Sequence, residues 1–169
     1  MIENGFELPS EAVFDLLKSV YHSTDAYAAD FAQEYPSLEA MIYRLADFRS
    51  RPGSLFLVAR HRNHLVGFLF IVPRAAAKLR HTADLNMGVR DEACGKGIGN
   101  ALLGAALSRL ERDRIIEIVY LMVRADNLRA LRLYEKHGFA VLAVLKRDTK
   151  TGRHYHDGVL MRARLPSSE

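Results

Sequence analysis

The 169 residues suit a single folded domain over residues 1–169, and 49% hydrophobic with 26% charged residues is an ordinary globular balance. The net charge of +4 is mild, and no run of Lys and Arg suggests a nucleic-acid partner. The lone cysteine, Cys94, excludes an internal disulfide and a cysteine-based metal cluster, and we expect no metal. No apolar run could span a membrane and no secretory leader is recognisable, so we expect a cytoplasmic protein without a membrane partner.

The first half of the chain contains patterns for two helices and for several strands. A helix opens at Pro9-Ser10-Glu11, and Ser37 is a good N-cap for a second helix, which Pro52-Gly53 ends. Residues 21–35, between the two helices, show no clear period. The predicted strands are Ile2–Leu8, Leu55–Ala59 and Leu65–Val72.

The middle of the chain places a helix between two strands. Strand Thr82–Val89 enters a glycine-rich loop, helix Ile98–Arg112 leaves it, and the strand Ile115–Val123 follows. This order implies a right-handed crossover between two parallel strands. Ligands favour the carboxyl ends of such strands, so we expect the loops after Val89 and Val123 to lie together.

The last part of the chain adds a helix and a hairpin. Asp126 is the predicted N-cap of helix Asn127–His137, with Gly138 just beyond its end. The predicted hairpin strands are Phe139–Arg147 and His154–Leu165. The whole order, β-α-α-β-β-β-α-β-α-β-β, describes a mixed α/β sheet with one parallel βαβ unit in an otherwise antiparallel sheet.

Three alternating glycines, Gly95, Gly97 and Gly99, lead directly into a helix. Glycines allow a tight turn and the close approach of a ligand to the backbone. The first N–H groups of a helix have no internal partner, and the helix dipole favours an anion there. Because Lys96 adds positive charge, the loop predicts a phosphate cradle, although a turn that binds nothing remains the simpler alternative for the loop alone.

Two nucleotide-binding motifs fit this loop poorly. A P-loop needs a longer spacing before its Gly-Lys pair and then Ser or Thr, whereas Gly97 is followed by Ile98-Gly99-Asn100. A dinucleotide-binding loop follows its strand directly, but several residues separate Val89 from Gly95. The motif alone therefore indicates an anion at a helix start.

Two stretches of the chain together match a known pattern. The first is Val89–Leu103, with its Gly-Lys-Gly-Ile-Gly core. The second is Val123–Phe139, which has the form Asn-x-x-Ala-x-x-x-Tyr-x-x-x-Gly-Phe. They resemble the acetyl-CoA pyrophosphate loop and the following conserved segment of the GNAT superfamily of N-acetyltransferases, and the order of elements over nearly the whole chain agrees. The resemblance implies a GNAT-like fold with acetyl-CoA as co-substrate.

The resemblance also assigns cofactor contacts. Asn127 would contact the pantetheine arm and Tyr134 would lie near the thioester sulfur, and both share one helix face with Ala130. Cys94 stands where the family usually has Arg or Gln; since the family relies on the backbone N–H there, pyrophosphate should still bind. The expected cofactor-binding residues are Met87, Gly88, Val89, Cys94, Gly95, Lys96, Gly97, Ile98, Gly99, Asn100, Asn127, Ala130 and Tyr134.

The implied reaction is acetyl transfer from acetyl-CoA to a primary amine, by direct attack in a ternary complex. The amine must lose a proton, and Asp84 is the best single candidate for the base. A backbone N–H within Met87–Val89 would stabilise the oxyanion, and Tyr134 would give a proton to the departing thiolate. The expected catalytic residues are therefore Tyr134 and Asp84.

The acceptor site is expected from residues 21–35, the loop Arg74–Arg80 and the last hairpin. In that hairpin, Tyr155-His156-Asp157 and Met161 resemble the terminal strand of small-amine, antibiotic and ribosomal-protein acetyltransferases. Tyr155, His154 and Asp157 are further candidates for the base. The alternative functions are a non-catalytic acyl-CoA-binding or sensor domain and a nucleotide-binding protein, and a homodimer is left open.

Overall fold

A computed structural model describes residues 1–166, in which seven strands form one sheet in the order β1-β2-β3-β4-β5-β7-β6. The strands are β1 (Ile2–Asn4), β2 (Leu55–His61), β3 (His64–Pro73), β4 (Thr82–Val89), β5 (Ile118–Arg124), β6 (Ala140–Thr151) and β7 (His154–Arg164). The helices are α1 (Ser10–His22), α2 (Phe31–Glu34), α3 (Leu38–Arg49), α4 (Ile98–Asp113) and α5 (Leu128–Lys136). Among residues 1–166, no helix has the length and apolar character needed to cross a membrane.

The sheet confirms the predicted fold class. β4 and β5 are parallel, and the other neighbouring strands pair antiparallel. The predicted order of α-helices and strands also holds, with one added α-helix, the four-residue α2. It is too short to show a hydrophobic period, and the Asp30 N–H donates to Gln33 Oε1 at 3.1 Å across its first turn. The strand predicted over Ile2–Leu8 ends at Asn4, because the Asn4 side chain accepts from the Phe6 N–H and starts a 3-10 turn over Gly5–Glu7.

The prediction for the cap of α5 is wrong. The N-cap is Asn127, whose side chain accepts from the Ala130 N–H at 3.2 Å. Asp126 instead accepts from Arg124 Nε at 2.9 Å, because the guanidinium at the end of β5 draws the carboxylate toward the strand. Ser37 does cap α3 as predicted, since its hydroxyl accepts from the Ala40 N–H at 3.1 Å.

Two apolar clusters cover the two faces of the sheet. Residues of β3 alternate between them: Leu69 and Ile71 belong to the cluster that includes α4, whereas Phe68 and Phe70 belong to the cluster of α1 and α3. The α4 side is mainly aliphatic, and the α1 side is rich in aromatic rings. Helices therefore pack on both faces of the sheet, and the glycine loop at the start of α4 belongs to one face only.

Candidate active site

The cradle is built at the start of α4. Gly97 is the N-cap residue and has a φ of 77°, a left-handed conformation that favours glycine. Ala101 donates to the Gly97 carbonyl at 3.0 Å as the first bond of the helix. The N–H groups of Ile98, Gly99 and Asn100 come before that bond and have no partner inside the helix, which is the arrangement that accepts an anion.

Two cations lie near the cradle. Lys96 is exposed, and its Nζ donates to the Glu92 carbonyl at 2.7 Å. Arg129 on α5 also reaches the loop, because a Cβ placed on Gly95 would lie 3.6 Å from Arg129 Nη2. The sequence analysis did not include Arg129. Its position two residues after Asn127, at the start of a helix that faces the loop, could have indicated that it lies near the glycines.

A gap opens beside the cradle where β4 and β5 separate. Their parallel pairing covers three residue pairs, from Thr82 with Ile118 to Asp84 with Tyr120. Beyond these pairs β4 continues on β3 to Val89, while β5 continues on β7. Residues 85–89 therefore have a strand partner on one side and a free edge on the other.

Peptide groups of β4 point into this gap. The Arg90 N–H donates to the Val66 carbonyl of β3 at 2.8 Å, so alternate residues of β4 turn their polar groups toward β3. Met87 and Val89 turn theirs the other way: the Met87 carbonyl accepts from the Tyr27 hydroxyl at 3.1 Å, and Cys94 Sγ lies 3.8 Å from the Val89 carbonyl. The N–H groups of Met87 and Val89 consequently face the gap.

Helix α5 closes the far side of the gap. A Cβ on Gly99 would lie 3.1 Å from Leu133 Cδ2 of α5 and 3.4 Å from Met87 Cε of β4. The start of α4, the face of α5 and the end of β4 thus converge on one point. The loops after β4 and β5 lie together, as the sequence predicts.

Tyr134 is buried on α5, with 8% of its surface exposed and its ring 5.7 Å from that of Phe139. Burial raises the pKa of the Tyr134 hydroxyl, so the phenol stays protonated. The pKa of Tyr27 is also raised, chiefly by burial and then by the neighbouring phenols of Tyr21 and Tyr134. The phenols of Tyr27 and Tyr134 are therefore electrostatic neighbours.

Asp84 lies apart from this point. Both of its carboxylate oxygens accept from Arg74, at 3.1 and 2.7 Å, and its side chain is 53% exposed. Arg74 in turn lies over the Tyr120 ring, 4.5 Å from its centre. At about 3.3 Å per residue along a strand, Asp84 and Met87 are about 10 Å apart.

The other candidates for the base lie in the last hairpin and have partners of their own. Asp157 accepts from Lys146 Nζ at 2.8 Å and from the Arg147 N–H at 2.9 Å, and its pKa is lowered mainly by the bond to Lys146. Tyr155 is half exposed beneath the Arg147 guanidinium, which is 3.8 Å from the ring centre. His154 is exposed.

Sequence reasoning overlooked His156, between these residues. Its Nδ1 lies 3.8 Å from Asp126 Oδ2, and its buried Nε2 has no hydrogen-bond partner among residues 1–166. Asp126 is in turn bound to Arg124, which also donates to Asp25 at 2.7 Å. Side chains alternate between the two faces of a strand, so His156 must face opposite to Tyr155 and Asp157. This alternation could have indicated that His156 points inward.

The fold and the site define a mixed α/β protein with a glycine-capped helix start beside the point where two parallel strands separate. The chain belongs to the acetyltransferase (GNAT) family, whose model matches residues 16–139. The predicted family and enzyme class are thereby confirmed. AaaT, an L-amino acid N-acetyltransferase from Escherichia coli strain K12, is 25% identical over 148 residues, 88% of this chain and 90% of that relative.

Solved structures of the same family have the same fold. An acetyltransferase of the GNAT family from Streptococcus pneumoniae has a TM-score of 0.90 at 23% identity, over 98% of this chain and 99% of that one. YncA from Salmonella typhimurium, solved with its cofactor acetyl-CoA, has a TM-score of 0.86 at 17% identity, over 100% of this chain and 95% of that one. The architecture is therefore shared over the whole length described.

Proposed function

We propose that this acetyltransferase moves the acetyl group of acetyl-CoA to a primary amine by direct attack in a ternary complex, and that residues 1–169 act as one domain. The observation that carries the proposal is that the start of α4, the free edge of β4 and the face of α5 converge on one gap, and that α5 also carries the buried Tyr134. A phosphate cradle alone would serve many ligands. A cradle joined to a strand edge also suits a ligand with a diphosphate at one end and a long amide-containing arm.

The cofactor would lie along the converging elements. Its diphosphate would accept from the N–H groups of Ile98, Gly99 and Asn100, with Lys96 and Arg129 adding positive charge. The remaining loop residues, Cys94, Gly95 and Gly97, would supply a close-fitting backbone. The pantetheine arm would follow the free edge over Met87, Gly88 and Val89 and would pass Ala130 and the Asn127 side-chain nitrogen.

The reaction develops negative charge first on the thioester oxygen and then on the departing sulfur, and each needs a hydrogen-bond or proton donor. The amine nitrogen attacks the thioester carbonyl carbon, a C–N bond forms, and the oxyanion accepts from the Met87 or Val89 N–H. The C–S bond then breaks, and the thiolate takes the proton of Tyr134. Burial keeps the Tyr134 phenol protonated before the transfer, and the phenolate that the transfer leaves regains a proton from the attacking nitrogen through water.

The amine proton needs an acceptor, and we retain Asp84 in that role. Its half-exposed carboxylate can meet an incoming ammonium, but water would have to carry the amine proton to Asp84 across the ~10 Å that separate Asp84 from Met87, where the thioester would lie. Asp84→Asn should then lower kcat/KM by about 10²-fold at neutral pH. An unchanged pH–rate profile in this variant would exclude Asp84.

The function is tested directly by offering acetyl-CoA with a panel of amines. The panel includes L-amino acids, because AaaT is named for that activity, and peptides with free N-termini. Free thiol release and the mass of the acetylated product are followed together. A non-catalytic acyl-CoA-binding domain would bind acetyl-CoA and form no acetylated product, and a nucleotide-binding protein would prefer ATP or NAD in equilibrium binding.

A further inference from the structure

Tyr27 lies in the stretch between α1 and α2, where the sequence shows no period. Its ring is nevertheless packed against two others: it stacks on Tyr21 at 4.2 Å with an interplanar angle of 13°, and lies 6.5 Å from Phe68. Stacking of this kind restricts the direction in which the hydroxyl can point. The segment therefore holds the Tyr27 phenol in a defined orientation on the face of the sheet opposite the cradle.

The Tyr27 hydroxyl contacts the backbone of β4 at the gap. It donates to the Met87 carbonyl at 3.1 Å. The same oxygen would lie 2.1 Å from a Cβ on Gly88, so position 88 accommodates the hydroxyl only because it has no side chain. The contact thus depends on two residues that are far apart in sequence, a tyrosine at 27 and a glycine at 88.

Tyr27 fills a role that a neighbouring strand would otherwise fill. Beyond Asp84, β4 has no pairing with β5, so the peptide groups on its free edge lack strand partners. The N–H and C=O of one strand residue point to the same edge. A bond that holds the Met87 carbonyl therefore also holds the Met87 N–H toward the gap.

A second bond anchors the same segment to the other strand. Asp25, two residues before Tyr27, accepts from Arg124 at the end of β5 at 2.7 Å. The segment consequently bridges the two diverging strands, with one attachment on β4 and one on β5.

We propose that Tyr27 is a positioning residue for acetyl transfer. Its hydroxyl holds Met87 so that the Met87 N–H stays aimed at the oxygen of the thioester carbonyl as charge develops there. The inference rests on the proposed function, because it assigns the oxyanion donor to β4. The new element is that the orientation of this donor is fixed by a side chain from the segment between α1 and α2.

Tyr27→Phe removes the hydroxyl and keeps the ring stack. Loss of a transition-state donor typically costs 10²–10³-fold, and loosening a donor that is still present should cost less, about 10-fold in kcat. The KM for the amine, the Kd for acetyl-CoA and the Tm should stay within experimental error of the parent. Tyr43→Phe is the matched control, because Tyr43 is 80% exposed on α3 and should leave every value unchanged.

Hydrogen exchange at the Gly88 amide gives a readout that does not need turnover, because this N–H shares its peptide group with the Met87 carbonyl and Gly88 pairs with Phe68 of β3. Its exchange should be faster in Tyr27→Phe than in the parent, whereas amides of β2 should not change. Equal Gly88 exchange, a normal kcat with a lowered Tm, or a raised KM for the amine at normal kcat would each overturn the positioning role. A parent enzyme that acetylates none of the amines would contradict the proposed function, and the Gly88 exchange would still decide on Tyr27.

Discussion

At the scale of single residues, two glycines serve for different physical reasons. Gly97 has a φ of 77° and open space around it, so its value lies in the backbone conformation that starts α4. Gly88 has Val20 and Tyr27 where a Cβ would be, so its value lies in the room it leaves. The same residue type therefore supports a cradle at one position and a close contact at the other.

Gly97→Ala should weaken acetyl-CoA binding at least tenfold. The new methyl group would meet no protein atom within 4 Å and would stand where we place the diphosphate. The left-handed φ should also cost about 1–2 kcal/mol of stability. Gly138→Ala is the matched control, with a φ of 84° and similarly open space beyond the end of α5. Calorimetry should find normal affinity in the control, and equal affinities in the two variants would contradict the cradle.

Tyr134→Phe should lower kcat and leave acetyl-CoA affinity and Tm nearly unchanged. The ring keeps its packing on Phe139, and only the proton donor to the thiolate is lost. Positioned proton transfer contributes about 10²–10⁴-fold, and because water can replace the hydroxyl in part, we expect the lower end. Steady-state kinetics with any accepted amine measures the effect, and an unchanged kcat would remove Tyr134 from the mechanism.

At the scale of elements, we propose that α5 contributes to both folding and binding through its N-cap residue. Asn127 uses its side-chain oxygen to cap the helix, bonding the Ala130 N–H at 3.2 Å. The side-chain nitrogen would then be able to donate to the proposed ligand. One residue could thus fix both the start of the helix and the course of the pantetheine arm.

Two substitutions at Asn127 separate these roles. Asn127→Ser keeps a good N-cap and loses the nitrogen donor, so Tm should hold while acetyl-CoA affinity falls. Asn127→Ala loses both, and should cost about 1 kcal/mol of stability in addition. Thermal unfolding and calorimetry on the pair measure the two effects. Normal affinity in Asn127→Ser would show that Asn127 acts as a cap only.

At the scale of the whole molecule, the site joins parts that are distant in sequence. Tyr27, Met87 and Leu133 come from three separate segments and are brought to one gap because β4 and β5 diverge within one sheet. A ligand bound in the gap contacts elements on both sides of it. Binding should therefore stabilise the whole fold rather than one loop.

Acetyl-CoA should raise the Tm of the protein, and ATP or NAD should raise it much less. A ligand at one hundred times its Kd stabilises the folded state by about 2.7 kcal/mol, provided it does not bind the unfolded chain. Differential scanning calorimetry over a series of ligand concentrations measures the shift. A larger shift with ATP or NAD would favour the nucleotide-binding alternative.

The sequence by itself determined the order of elements, the glycine loop and the face of α5. These depend on local patterns: alternation in β4, the 95–99 glycines, and the spacing of Asn127, Ala130 and Tyr134. Ser37 was a predictable cap for the same reason. The Asp126 prediction failed because Asp126 and Asn127 are both good capping residues, and Asp126 binds the neighbouring Arg124 while Asn127 caps the helix.

The tertiary structure alone decided how the candidate site is completed. Three contacts of the site join residues that are ten to sixty positions apart in sequence. They are Asp84 with Arg74, Arg129 with the glycine loop, and Tyr27 with the Met87 carbonyl. Such pairs are set by the register and separation of strands and by the path of a segment without a period. Local propensity does not encode these quantities, because the contacts exist only after the chain has packed.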